Sequence, residues 1–135
     1  MAKLAGLSCT VTMQNSSAVA KDISNDIADF SIPITFAVQD VTGIDKSAQE
    51  RIALLVDSAP SFKGFHNNAT DRLHQVVSTG QTVPRQIVAT LPGGAGAVLT
   101  ETILLDSYVL TRAANAALTN TVGGKLSNGT APAWS

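Results

Sequence analysis

A chain of 135 residues is one domain by the usual size prior, long enough to bury about two thirds of its unfolded surface and hold a core without disulfides or metal. Charged residues make up 14% of it and the net charge is -1; about 25% is ordinary, and with no basic patch or tail the sequence gives no sign of tight binding to a phosphate backbone. The single Cys9 excludes an internal disulfide framework, no run of about twenty apolar residues offers a membrane span, and Met1-Ala2-Lys3 leads into too short an apolar run for a signal peptide.

Residues 1–6 read as an N-terminal arm. Leu7, Cys9, Val11 and Met13 then alternate with Ser8, Thr10 and Thr12, which predicts a half-buried strand. Val19, Lys21 and Ile23 predict a short second strand, ended by Asn25-Asp26. A longer strand is expected from Ile27 to about Val41, with Phe30, Ile32, Ile34, Phe36 and Val38 on one face. Pro33 lies inside it and cannot donate to a ladder, so this strand is an edge, bulged, or unpaired there. Gln39 to Val56 is the stretch on which the reading turns. Ser47 and Glu50 have the spacing of a capping box, Asp45 adds negative charge ahead of them, and Ala48, Ile52, Leu55 and Val56 fall at helical spacing. These residues predict a helix from Ser47 to about Val56, packed against a sheet.

After it, Ser61–His66 reads as a strand. Asp71–Val77 reads as one or two helical turns capped by Thr70, burying Leu73, Val76 and Val77, with Gly80 as the stop. Arg85–Leu91 is a strand, Pro92–Gly96 (PGGAG) a hairpin turn, and Ala97–Arg112 a long strand bending near Asp106. Ala117–Ser127 is the last strand, and its interior Gly123-Gly124 implies a bulge or close backbone approach. Residues 128–135 read as C-terminal coil. The fold class is mainly β (α+β), a single domain built as a β-sandwich with one flanking α-helix.

Chemistry is sparse. His66 and His74 have no metal-ligand spacing with Cys9. PGGAG lacks the Lys-Ser/Thr of a phosphate loop and leads into a strand. No serine sits in a nucleophile elbow, and no carboxylate pair can be placed together. No catalytic, cofactor or metal site is expected, and the role is one of interaction. Low charge with abundant Ser and Thr suits either an extracellular protein or one that buries its surface against copies of itself.

Asp40–Arg51 (DVTGIDKSAQER), Ile52–Asp57, Ser61–Asn67 (SFKGFHN) and Leu73–Val77 (LHQVV) resemble the core of the major tail protein, or tail tube protein, of siphophages, particularly those of actinobacteria. Asp22-Ile23-Ser24 before the Phe30 strand, the Gly96–Leu110 segment with Glu101, and the Ala117–Asn128 strand extend the resemblance over most of the chain. Longer members of this kind continue past a Trp near the position of Trp134 into a further C-terminal domain; this sequence stops there, and a tube with a smooth exterior is the expectation.

The resemblance implies a structural virion protein of the phage tail, assembled in the host cytoplasm. Hexameric rings would stack into a tube, each subunit lending strands to an oligomeric inner β-barrel through which double-stranded DNA passes during ejection. About 24 strands at about 4.8 Å, enlarged by tilt, give a backbone diameter of roughly 40–50 Å. Partners implied are further copies of the chain, the tape measure, tail tip and terminator proteins, and DNA in non-specific transit. Glu101, Asp106 and Asp29 are candidates for an acidic bore over which DNA slides. Gln39, Asp40, Thr42, Asp45 and Lys46 are candidates for an inter-ring stacking loop, held by the helix that Ser47 and Glu50 cap. The alternative is another ring-forming virion protein, a tail terminator or a capsid decoration protein.

Overall fold

Val11 and Met13 are buried while Thr10 is exposed and Thr12 half-buried, so strand β1 (Thr10–Gln14) forms as its alternation requires. The computed structural model describes residues 8–94 and 96–135; the arm at 1–6, Leu7 and Ala95 of the PGGAG turn lie outside them. β1 pairs on one side with β2 (Ala20–Asp22) and on the other with β7 (Arg85–Thr90), both antiparallel. The main sheet runs β2-β1-β7-β8-β9-β6-β3, with β3 Ile27–Ser31, β6 Ser61–Phe65, β8 Val98–Thr111 and β9 Thr119–Leu126. Its two edge strands, β2 and β3, are joined by one 3-10 turn, Ser24–Asp26. A sheet whose first and last strands meet at a single turn must curl. Its inner face encloses one core of Val11, Met13, Ile23, Phe62, Ile87, Ala89, Leu99, Ile103 and Val122.

Strand β8 is the spine. Its first half pairs with β7 and its second half with β9, and the two ladders overlap only at Ile103. The register shifts between Leu105 and Ser107, where the bend near Asp106 was expected. Gly123 lies opposite that bulge, and a Cβ there would stand 2.7 Å from Ser107 Oγ, so the glycine pair marks a close approach. The tail is not all coil. Strand β10 (Ala133–Trp134) pairs with Leu99–Thr100 of β8, taking the edge that β9 leaves vacant after Leu126.

The flanking helix, α1 (Leu73–Val77), buries Leu73, Val76 and Val77 against the sheet, the face that was predicted. Its cap is not Thr70. Asp26, distant in sequence and buried, accepts the Leu73 N–H at 3.0 Å and the Asn67 Nδ2–H at 2.9 Å. At the other end the wholly buried Arg85 donates to the carbonyls of Val76 and Thr79, of Gly80 at 3.1 Å and of Gln14 at 3.3 Å. One guanidinium thus collects carbonyls that leave α1 unsatisfied and ties them to β1.

Two expectations fail together. The segment Ile27–Val41 is two strands, β3 and β4 (Ile34–Asp40), in different sheets. The chain crosses between them at Ile32-Pro33, where a missing N–H costs nothing. The predicted helix at Ser47–Val56 does not exist: Arg51–Ser58 is strand β5, paired antiparallel with β4 from Ile34↔Ser58 to Asp40↔Arg51. Ser47 and Glu50 form no capping box. The Glu50 N–H donates to Thr42 Oγ1 at 2.7 Å, and its carbonyl accepts the Val41 N–H at 2.9 Å. The run Ile52–Val56 is apolar at every position, so it satisfies helical spacing and strand alternation alike. A ladder to β4, with Thr42 closing its end, decides between them.

Candidate functional site

The β4–β5 hairpin is a two-stranded sheet of its own, so among the described residues no further strand pairs with the outer edge of either strand. Register sorts its side chains. Ile34, Phe36 and Val38 share one face with Ser58, Val56 and Ala53, and Thr35, Ala37 and Gln39 share the other with Asp57 and Ile52. The register shift between Phe36 and Val38 sets Ala37 against both Leu54 and Leu55. The first face runs into the body at the root, where Ile34 packs on the core and Ser58 is buried.

Beyond the root the hairpin is bare. Phe36 is 71% exposed and Leu55 89%, with Val38, Ile52 and Leu54 about half exposed. Apolar side chains thus stand in water on both faces. An isolated hairpin is marginal in water, and one with open edges and apolar faces is an assembly surface or an aggregation hazard. Leu54, Leu55 and Val56 also line a cleft against Leu126 of β9 and Gly129 and Ala131 of the tail.

The loop at the tip is ordered from within. Asp40 Oδ1 accepts the N–H and the hydroxyl of Thr42, and these bonds hold its carboxyl below the usual range. Thr42 Oγ1 in turn receives the Glu50 N–H, and the Lys46 N–H closes a turn on the Gly43 carbonyl at 3.2 Å. The structure therefore brings Gln39, Asp40, Thr42, Asp45 and Lys46 together at the hairpin tip. It adds Ile44, a fully exposed apolar residue among them.

The three acidic candidates are not brought together. Asp29 is exposed on edge strand β3, in register with Lys63. Asp106 is exposed at the β8 bulge and pairs with Lys125 Nζ at 3.5 Å. Glu101 is a correction: it is 4% exposed and lies on the core face of β8 with Leu99 and Ile103. The surrounding alternation, Leu99 and Ile103 inward, decides its direction whatever its charge. Sequence reasoning missed Asp57, on the hairpin, and the exposure of Phe36, Leu54 and Leu55. Their signal was there, in two apolar runs flanking a polar loop, the second without alternation, and it was assigned to a core.

His66 and His74 lie with ring centroids 4.7 Å apart, and His74 Nδ1 is 2.7 Å from the Tyr108 hydroxyl. Among the described residues no three His, Cys, Asp or Glu side chains are placed to hold a metal, and no helix is long and apolar enough to cross a membrane.

No family model matches the chain, and no curated protein matches it by sequence. Solved structures do match its fold. The tail of an empty gene transfer agent particle, refined with helical C6 symmetry, superposes with a TM-score of 0.79 at 12% identity, over 98% of this chain and 99% of that one. A chain in the virion of the native gene transfer agent particle superposes with a TM-score of 0.74 at 13% identity, over 98% and 99%. The SPP1 tail tube, from solid-state NMR and cryo-electron microscopy, superposes at 0.67 and 7% identity, over 92% of this chain and 76% of that one. The chain has the fold of phage tail-tube structures.

Proposed function

We propose that this chain is the building block of a phage-type tail tube: copies associate side by side into rings, probed first as hexamers, and the rings stack into a conduit for double-stranded DNA. The observation that carries the reading is the β4–β5 hairpin. Its two open edges pair with the hairpins of neighbouring copies, which sets the apolar side chains of adjacent copies beside one another on each face. The fold shared with a helical C6 tail supports the same arrangement. Low charge supports it as well, since a chain that buries surface against copies of itself carries fewer solubilising groups.

In this reading the face bearing Thr35, Gln39 and Asp57 looks into the bore, because the opposite face leads through Ile34 and Ser58 into the body. It carries an acid and no Lys or Arg, which suits a wall that DNA must slide past. Asp57 replaces Glu101 as the bore acid. The tip loop, Gln39 to Lys46 with Ile44, reaches the next ring, and the tail tip, terminator and tape measure meet the tube at its ends and within it.

Electron microscopy of the purified protein, fresh and after long incubation at high concentration, tests this. Hollow tubes with an axial repeat of about 40 Å, the length of roughly twelve strand residues, are expected. Isolated rings that never stack favour a terminator. Monomers that stay monomeric even with tail-tip complex overturn the proposal.

A further inference from the structure

Few polar contacts fasten the hairpin to the body. Among the described residues one side-chain hydrogen bond crosses from Ile34–Ser58 to the rest of the molecule, and no ion pair does: Ser58 Oγ donates to Glu101 Oε1 at 3.1 Å. Around the root there are also the packing of Ile34, a backbone bond from the Ala59 N–H to the Pro33 carbonyl, and one from the Gly124 N–H to the Pro60 carbonyl.

That single bond ends on a carboxyl group in the core. Glu101 Oε2 is buried without a hydrogen-bond partner. Around it β7 presents Ile87 directly opposite, with Arg85 two residues further on. The terminal nitrogens of Arg85 are taken up by the carbonyls of Gln14, Val76, Thr79 and Gly80. On the hairpin the next residue is another acid, Asp57, whose Oδ1 accepts the Ser58 N–H at 2.8 Å. The core faces of β1, β6 and β9 offer Val11, Met13, Phe62 and Val122, and β10 brings Ala133 beside Thr100; none is charged. Burial pushes the Glu101 carboxyl up, with the Ser58 bond opposing it. An ionised carboxylate in such a place gains most by meeting water. Ser58, the last residue of the hairpin, stands over it.

We propose that Glu101 and Ser58 form a proton-dependent latch at the hairpin root: the neutral carboxyl keeps the root closed, and the ionised carboxylate draws water in and frees the hairpin to swing. The latch belongs to the single chain and does not depend on tube formation. Linkage makes it reciprocal, so whatever fixes the hairpin also holds the proton.

Hydrogen exchange on the full chain, kept dilute and monomeric between about pH 5 and about pH 9 and corrected for intrinsic rates, reads the root amides at Asp57, Ser58 and Ala59. Opening is expected to rise with pH by up to about tenfold per unit, the most that one linked proton allows, while β7 amides stay level. Glu101→Gln, neutral and of the same shape, should hold the root closed at every pH, and Ser58→Ala should leave it open even in acid. The Glu101 carboxyl carbon resonance in the unaltered protein should titrate with the root amides, above the ordinary glutamate range. A root that opens equally at all pH, a Glu101→Gln variant that keeps the pH slope, or a carboxyl titrating at its ordinary value overturns the latch.

Discussion

Replacing Leu55 by serine separates the hairpin's part in assembly from any part in folding. Leu55 is 89% exposed in the single chain, so its removal takes almost nothing from the core, and the folded monomer should change by no more than about 0.5 kcal/mol. In a tube, edge-to-edge pairing sets the side chains of neighbouring hairpins beside it on the same face, and they cover part of it. Full burial of a leucine is worth about 1.5–3 kcal/mol, and about half of that is at stake for each subunit that joins. At about 1.4 kcal/mol per decade, the lowest concentration at which tubes persist should rise roughly three- to twelvefold. Pelleting across a dilution series gives that concentration, and thermal unfolding of the dilute protein gives the monomer's stability. An unchanged pelleting threshold would show that the hairpin is not the assembly surface. A fall in unfolding temperature of many degrees would show that Leu55 belongs to the monomer's core, and the exposure argument would fail with it.

Three further substitutions test the frame that carries the hairpin. Asp26→Ala leaves the Leu73 N–H and the Asn67 amide without their buried acceptor and should cost about 1–3 kcal/mol by denaturant titration; a loss under about 0.5 kcal/mol would mean that α1 needs no cap. Gly64→Ala sets a Cβ 1.7 Å from the backbone oxygen of Asp26, so the β3–β6 pairing must separate there, with a loss of about 3 kcal/mol or more that a wild-type unfolding midpoint would refute. For Glu101 the folded chain holds a proton more tightly than the unfolded chain, because burial raises the folded pKa. The stability this contributes is whole below the unfolded carboxyl range and is lost as pH rises through the folded value. Glu101→Gln should therefore match the parent in acid and exceed it above that window, and parallel stability curves at all pH would contradict the assignment.

Most strands were legible because their patterns carry one meaning. Thr10–Gln14, Arg85–Thr90 and the first half of Val98–Thr111 alternate inward and outward against a single core, and no helix satisfies that period. Pro33 was legible as a break though not as a change of sheet, since a proline tells where a ladder stops and not where the chain goes next. The cap of α1 could not be read locally: Asp26 lies 47 residues from Leu73, and only the closed curve of the sheet brings the two together. The direction of Glu101 was readable from Leu99 and Ile103 on either side, but an acid in a strand was taken as solvated on the strength of its charge.

The hairpin misled for a different reason, which bears on function. Sequence patterns locate elements by assuming that each chain hides its own apolar surface. Phe36, Val38, Leu54 and Leu55 break that assumption, since the chain that carries them does not cover them. A reader who insists on an internal partner must fold Arg51–Ser58 into a helix against the sheet, which is where the capping pattern of Ser47 and Glu50 led. The structure keeps the segment extended and leaves its apolar faces and backbone edges open. Surface left open by one copy is available to the next, and an edge that is not satisfied within one chain propagates from copy to copy until a ring closes or a tube ends. The element that single-chain logic places worst is the one whose burial the proposed assembly would supply.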